Sequence, residues 1–441
     1  MRASKVSRRR RVIGEMKLII ENVRTFVGRH ELPIRPLTIL TGENSSGKTT
    51  LLACLASVTA TGFPFDPGFN EEPYRLGLYD SIVAKARPKG RNEFSLGLVQ
   101  DSGPDGEPME VTASFTSLKG APMVSKVNLV TPEGVVSLEY KEGAKRYGAR
   151  LRSRRLAPAL EAEFPFRAPR KNGEKEEFRS SLYSQLLTHS LQQERKSKPV
   201  QRELVALAAD MASHSVITTR SVAPIRTKPW RTYDPADYFY DPEGDHIPFE
   251  IAKEFGEKNS TRLRGLKRAL ESFGKESGLF ERIEVKSLGK NGTEPFQLQV
   301  LISGKPMNLQ DVGYGVSQSL PVIVESAVLP AEDLLLVQEP EVHLHPMAQA
   351  ALGTFFCKLV STGGKSFVLE THSDYLVDRV RQEVAGGTIK PEAVIVLYFE
   401  RKGLETTVYA LEIDEVGNLL GVPQTYRSFF LREQLNLLSR G

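Results

Sequence analysis

Residues 37–52 read LTILTGENSSGKTTLL, and no other stretch restricts the fold of this 441-residue chain so strongly. A glycine, four residues and then Gly-Lys-Thr form the phosphate-loop pattern, Gly42-Glu43-Asn44-Ser45-Ser46-Gly47-Lys48-Thr49. Gly42 and Gly47 allow backbone angles that turn consecutive N–H groups around one polyphosphate. A helix that starts near Gly47 adds the positive end of its dipole. Lys48 then reaches the β- and γ-phosphates, and the Thr49 hydroxyl helps to hold Mg²⁺. The flanks suit such a loop. Leu37–Leu40 reads as a buried strand, and Leu51, Cys54, Leu55 and Val58 fall on one helical face. The expected nucleoside-triphosphate-binding residues are therefore Gly42, Glu43, Asn44, Ser45, Ser46, Gly47, Lys48, Thr49 and Thr50.

A chain of this length has room for two or three domains. At 40% hydrophobic and 26% charged, its composition is that of an ordinary globular protein. The longest apolar runs, such as LLLV at 334–337, are too short to cross a bilayer, and no signal peptide is visible. Cys54 and Cys357 sit in apolar helical stretches and read as core thiols. The expected setting is a reducing cytoplasm, without a membrane. The formal charge of +5 is carried by residues 1–15, where Arg2, Lys5 and Arg8 to Arg11 stand against Glu15. This leader is expected to be a disordered basic extension, with Met16 a natural initiator; the competing reading is a basic arm for nucleic acid. Since the rest of the chain is neutral, charge gives no support to nucleic-acid binding by the body.

Residues 16–140 are expected to form an N-terminal lobe of strand, turn, strand, phosphate loop and helix. An antiparallel β-subdomain follows, with strands in FSLGLV, VTASFT, VSKVNLV and VVSLEY. Residues 141–215 are charged and broken by prolines, and the expectation is a helical insert that offers a docking surface. Residues 216–441 return to buried strands, LLLV, SFVLE and VIVLYF, with helices between, as a parallel α/β sheet requires. The helix after Pro346 is expected to stop at Gly363-Gly364. Arg220, Arg226, Lys228, Trp230 and Arg231 make a basic, aromatic loop. It reads either as packed structure or as a surface for phosphate, nucleic acid or an acidic protein.

Three later segments complete a site. The strand in LLLVQEPEVHLHP delivers Gln338 and Glu339 at its C-terminal end, where open α/β sheets bind ligands. Hydrolysis needs a carboxylate to orient or deprotonate water; Glu339 fits that task and Glu341 can support it. VLETHSDYL ends another strand in Glu370, Thr371 and His372. A histidine there can contact the γ-phosphate or the attacking water, or simply finish the strand. DVGYGVSQSLPVI leads glycines into a helix start at Ser317-Gln318, a second anion-binding terminus.

Together, ENVRTF (21–26), GENSSGKTT (42–50), DVGYGVSQSLP (311–321), QEPEVHLHP (338–346) and ETHSDYLVDRVR (370–381) resemble the ABC-type ATPases. They are more closely similar to the branch with RecF, SMC-like and OLD-like ATPases, particularly the AAA_15/AAA_21 (DUF3696-like) class. The resemblance covers about 16–140 and 215–415 and implies an ABC-type P-loop ATPase head, α/β in class. Its mixed sheet would carry an antiparallel β-subdomain and the insert. It implies homo-oligomers in which two heads sandwich ATP and Mg²⁺. Glu339 would be the catalytic carboxylate, His372 the switch histidine and His345-Pro346 the D-loop. Gly315, Ser317 and Gln318 would be the signature offered in trans to the partner's ATP. Two departures stand out. Gln338 occupies the usual metal-site aspartate position and would join Thr49 as a neutral, weaker ligand, so that slow turnover is expected. The glutamine lid has no clear counterpart, Asp80 and Gln100 being the nearest candidates.

Three roles compete for such an ATPase. The favoured one is a sensor or scaffold switch in bacterial anti-phage defence, similar to the ATPase component of PARIS systems. It would answer a phage protein and control a separate effector, a Toprim-type nuclease, because the chain itself shows no nuclease constellation. The alternative is an SMC/RecF-like DNA-binding clamp in repair, which calls for a long coiled coil and a basic body. A transporter ATPase subunit fits worst.

Overall fold

The computed structural model describes residues 16–86, 92–101, 108–132, 134–141, 146–153, 161–166, 185, 217–234, 238–256, 261–289, 294–331 and 333–428. The expected leader, 1–15, lies outside the described residues, as does most of the expected insert beyond residue 166.

The N-terminal half opens with the hairpin β1 (Met16–Val23) and β2 (Phe26–Ile34), followed by β3 (Leu37–Gly42), α1 (Lys48–Thr59) and the short α2 (Tyr79–Ile82). Strands β4 (Phe94–Asp101), β5 (Pro108–Leu118), β6 (Ala121–Val130), β7 (Gly134–Lys141), β8 (Arg146–Ser153) and β9 (Glu161–Phe166) come next. They join the hairpin in one antiparallel sheet, ordered β2-β1-β4-β5-β6-β7-β8-β9. Side chains alternate across a strand. In β5, Met109, Val111, Ala113 and Phe115 accordingly enter the core, while Glu110, Thr112 and Ser114 are more accessible.

The C-terminal half runs β10 (Thr219–Val222), α3 (Ile247–Gly256), α4 (Thr261–Ser277), β11 (Arg282–Ser287), β12 (Phe296–Ile302) and β13 (Lys305–Asn308). It continues with α5 (Tyr314–Val328), β14 (Leu334–Gln338), α6 (Pro346–Gly363), β15 (Ser366–Glu370), α7 (Asp374–Ala385), β16 (Val394–Lys402), β17 (Glu405–Ile413) and β18 (Leu419–Leu420). The central sheet has the order β10-β14-β15-β3-β16-β17-β18. From β10 to β16 neighbouring strands are parallel, and β17 and β18 close one edge antiparallel. Strands β11, β12 and β13 form a small separate sheet.

The central strands are apolar on both faces, as a sheet covered on both sides demands. Leu40, Leu334, Leu336, Val368, Ile395 and Leu397 pack into one core with α1 and the antiparallel sheet. Their neighbours Ile39, Leu335, Val337, Phe367, Leu369 and Val396 pack into a second core with α5, α6 and α7. The fold is therefore the expected mixed α/β one with an antiparallel β-subdomain. The helix after Pro346 ends as expected, on Gly364 in the left-handed conformation. Cys54 and Cys357 are buried and free. Among the described residues no helix is long and apolar enough to cross a membrane.

One expectation is corrected. The insert was expected to be helical from residue 141, but its first part is β8 and β9. β8 pairs with all of β7, from Lys141↔Arg146 to Gly134↔Ser153, so the sheet runs across the expected boundary. Its many arginines suggested a helix face, yet Tyr147 is buried while Arg150 and Arg152 are exposed, the period of a strand.

Candidate ATP site

The sheet order explains why distant motifs meet. Strands β14, β15 and β3 are adjacent and parallel, so their C-terminal ends lie along one edge. That edge receives Gln338-Glu339, Glu370-Thr371-His372 and the loop after Gly42.

The loop is held by its backbone. Gly42 has φ 140°, and a Cβ there would come 2.3 Å from the Phe399 carbonyl oxygen, so no side chain fits. Gly47, at φ 104°, caps α1. The buried Ser46 hydroxyl donates to the Glu43 carbonyl at 2.7 Å. From β16 and β17, Arg401 donates to the Ser45 carbonyl at 3.2 Å, and the Thr406 hydroxyl donates to that of Ser46 at 2.8 Å. Lys48 is buried, and its Nζ donates to the carbonyls of Gly42 (3.0 Å) and Glu43 (2.8 Å). Burial lowers its pKa, against the field of Glu370, Glu339, Glu341 and Glu43. Thr49 projects to β15, where its hydroxyl donates to both Glu370 carboxylate oxygens at 2.9 Å. Thr50 turns to the hairpin and accepts from Arg24 at 3.3 Å.

Glu339 sits just past β14 with φ 43°, a strained value for a residue with a side chain. Its N–H donates to the Glu370 carbonyl at 2.7 Å, continuing the ladder. Its carboxylate is 3.9 Å from His372 Nε2, and both side chains are more than one-third exposed. Glu341 is buried; it accepts the His372 N–H at 2.6 Å and so shapes the backbone after β15. Burial raises the pKa of Glu341 and of Glu370; for Glu370, Thr49 and Lys48 oppose the rise. Burial, then Lys48, lowers that of His372, while Glu339 opposes.

Several expected residues are placed differently from their readings. Gln338 meets Glu370 through its amide N–H, at 3.3 Å. Ser317 and Gln318 are buried within the chain. The Ser317 hydroxyl donates to the Tyr314 carbonyl, and the Gln318 amide donates to the carbonyls of Arg226 and Thr227. The exposed part of this segment is the helix start, Gly313 and Tyr314, with Gly315 partly covered. The His345 ring caps α6, accepting from Ala348 N–H at 3.4 Å. Asp80 lies in α2 and Gln100 in β4, and the geometry links neither to the loop.

The basic, aromatic loop is mostly structural. Arg220 pairs with Glu325 at 3.4 Å, and Arg231 makes a two-pronged pair with Asp311. Arg226 is buried and donates to the carbonyls of Gln318 (3.3 Å), Gln338 (3.0 Å) and Glu339 (3.0 Å). Desolvation lowers its pKa to about 10, which leaves it charged at neutral pH. Burial thus removes Arg226 from any nucleic-acid surface, while Lys228, Trp230 and Arg231 remain exposed. The structural role of Arg226 had no signature in the sequence, because its burial depends on α5 and β14 closing over it.

Thr49, Glu370, Gln338 and Glu339 offer oxygen atoms at one strand edge beside the loop. Oxygen donors are what Mg²⁺ takes, through one or two side chains plus phosphates and water. The donor set therefore fits. Among the described residues no group of three His, Cys, Asp or Glu side chains forms a metal cage of its own.

Residues 212–378 match the family model described as "AAA domain, putative AbiEii toxin, Type IV TA system", and residues 17–121 match that of an "AAA domain". The chain carries AAA-family ATPase domains. The two AAA segments meet in the central sheet, one supplying β3 and the loop, the other β14 and β15. No curated protein matches the sequence. Similar solved structures include an Smc head bound to the C-winged helix domain of ScpA, with 12% identity and TM-score 0.44, covering 91% of this chain and 98% of that one. A Pyrococcus furiosus Smc head domain with an extended coiled coil, bound to the C-terminal domain of ScpA, has 10% identity and TM-score 0.45 over 96% and 99%. The SMC head domain from Thermotoga maritima has 10% identity and TM-score 0.41 over 91% and 100%.

Proposed function

We propose that this chain binds and hydrolyses ATP at a subunit interface and uses that cycle as a sensor or scaffold switch. It would control a separate effector, a Toprim-type nuclease, in bacterial anti-phage defence. The observation that carries the ATPase reading is the convergence of Lys48, Thr49, Glu339 and His372 at one edge of three parallel strands. The defence role and the effector rest on the resemblance of the motifs; the printed description of the matched family names a putative toxin of a type IV TA system.

The chemistry follows from the positions. Loop amides and Lys48 bind and orient the phosphates. When bound, Mg²⁺ offsets charge on the β- and γ-phosphate oxygens. Glu339 takes the proton of a water that attacks the γ-phosphorus as the bond to the bridging oxygen breaks, giving ADP and phosphate. His372, beside it, orients that water or the γ-phosphate. The exposed start of α5, Gly313 to Gly315, is offered to the ATP of a second copy.

The test combines ATP turnover with mass photometry of the purified chain. Lys48→Ala should abolish nucleotide binding. Glu339→Gln should bind ATP, lose turnover by about 10²–10⁴-fold and accumulate an ATP-dependent dimer. Normal turnover by Glu339→Gln would remove it as the base. An assembly that ignores nucleotide would replace the sandwich with a preformed scaffold gated by ATP. Co-purification with the product of a neighbouring gene tests the effector. Nucleotide-dependent DNA binding without such a partner would favour the clamp instead.

A further inference from the structure

Gln338 and Glu370 are register partners, each the last residue of its strand, β14 and β15. Directly opposed residues of neighbouring strands project to the same face, and the two side chains do meet, at 3.3 Å. A strand end that delivers a neutral amide therefore lies beside one that delivers a carboxylate. We propose that Glu370 supplies the anionic protein ligand of the Mg²⁺–ATP site, directly or through one water, in the role that Gln338 leaves uncharged. This rests on reading the loop after β3 as the ATP site.

The contacts of Glu370 point to that role. Both carboxylate oxygens lie 2.9 Å from the Thr49 hydroxyl, the loop group that the phosphate-loop pattern assigns to the metal. Glu370 is 5% exposed, its hydrogen-bonding partners, Thr49 and Gln338, are neutral, and the nearby cation, Lys48, gives its hydrogen bonds to the loop carbonyls of Gly42 and Glu43. A buried carboxylate is costly unless a cation compensates it. Mg²⁺ between phosphates and this carboxylate would do so, with Thr49 turning its lone pairs to the metal. The other carboxylates of the edge are less suited. One oxygen of Glu341 is tied to the His372 N–H at 2.6 Å, and its other oxygen, buried without a hydrogen bond, makes it the nearest rival. Glu339 stands more open, near His372, where water arrives. The competing explanation is that Glu370 only ties Thr49 to β15.

Mn²⁺ as the probe, with a non-hydrolysable ATP analogue and the full chain, separates these. Mn²⁺ affinity is read by electron paramagnetic resonance, and analogue binding in EDTA is measured alongside. Glu370→Gln should keep analogue binding in EDTA but lose Mn²⁺ affinity about 10–100-fold, the usual scale for disturbing a metal site. Adding Gln338→Glu, which moves the carboxylate to the paired position, should recover most of that loss. Mn²⁺ affinity within about twofold of wild type in Glu370→Gln would overturn the proposal, and so would a loss that the second substitution does not restore, since a mere tie explains it. If Glu370→Gln does not fold, a manganese anomalous peak in the wild-type complex decides. At ligand or one-water distance from Glu370 it upholds the assignment; farther away it ends it. Should the wild type bind no analogue in either condition, as Lys48→Ala is expected to, the ATP site itself is wrong.

Discussion

His372 and Arg226 show how much single side chains do at this edge. Burial and Lys48 hold the His372 imidazole below its ordinary pKa of 6.5, with Glu339 pulling the other way. The ring is then neutral at pH 7, able to accept a proton or a hydrogen bond. An unfolded chain takes up its proton near 6.5, the folded one only at lower pH. This residue therefore favours unfolding as pH falls through 6.5 and below. The acid limb of ATP turnover due to His372 should lie below pH 6.5, and His372→Gln should flatten it. An unchanged pH–rate profile in that variant would mean that the ring takes no part. Arg226 acts on backbone instead. One buried guanidinium holds the carbonyls of Gln318, Gln338 and Glu339, and so ties α5 to the strand end that carries the catalytic candidate. Arg226→Met keeps the bulk but removes the donors. It should cost about 2–5 kcal/mol in urea denaturation and slow turnover without touching substrate. A loss under about 0.5 kcal/mol would show that water replaces the guanidinium freely.

At the scale of elements, the path from β3 into α1 is the most constrained. Gly42→Ala combines φ 140° with a Cβ pressed against the Phe399 carbonyl. Strain of this kind costs about 1–3 kcal/mol, and relief requires β3 and β16 to part. Thermal unfolding should come several degrees earlier, and ATP binding should be lost; retained binding would mean that the loop tolerates a second path. This element was legible in the sequence because its constraints are local: glycines, lysine and threonine at fixed spacing between two apolar runs. The strand ends with Glu339 and His372 were legible for the same reason. Glu370 is visible in the sequence, but a role for it emerges only when the uncharged end of β14 is set against its register partner. The signal was available: an uncharged residue at one strand end and an acid at the next. The burial of Ser317, Gln318 and Arg226 was not legible, since it depends on a loop, a helix and a strand closing on one another. β8 was not legible as a strand because its arginines hide a period of two, and β9, EAEFPF, because its proline reads as a break.

At the scale of the molecule, two cores share the central sheet, and its strands belong to both. A shift at the proposed ATP edge would therefore be felt in both cores. Arg24, in the turn of the first hairpin, touches Thr50 beyond the loop. The Arg401 and Thr406 contacts bind the far edge of the sheet to its crown. These supports are long-range, so no spacing in the sequence announced them. The one tryptophan of the chain, Trp230, is 64% exposed and lines the same cleft as Ser317 and Leu320 of α5. That makes the protein its own optical gauge. Excited at the red edge of its absorption, the unmodified chain has a single indole emitter, placed beside the surface that a second copy is proposed to cover. Addition of ATP to Glu339→Gln should shift that emission to the blue and shelter it from iodide quenching, with no label introduced. Emission and quenching that stay as they were while dimers form would place the contact on another face.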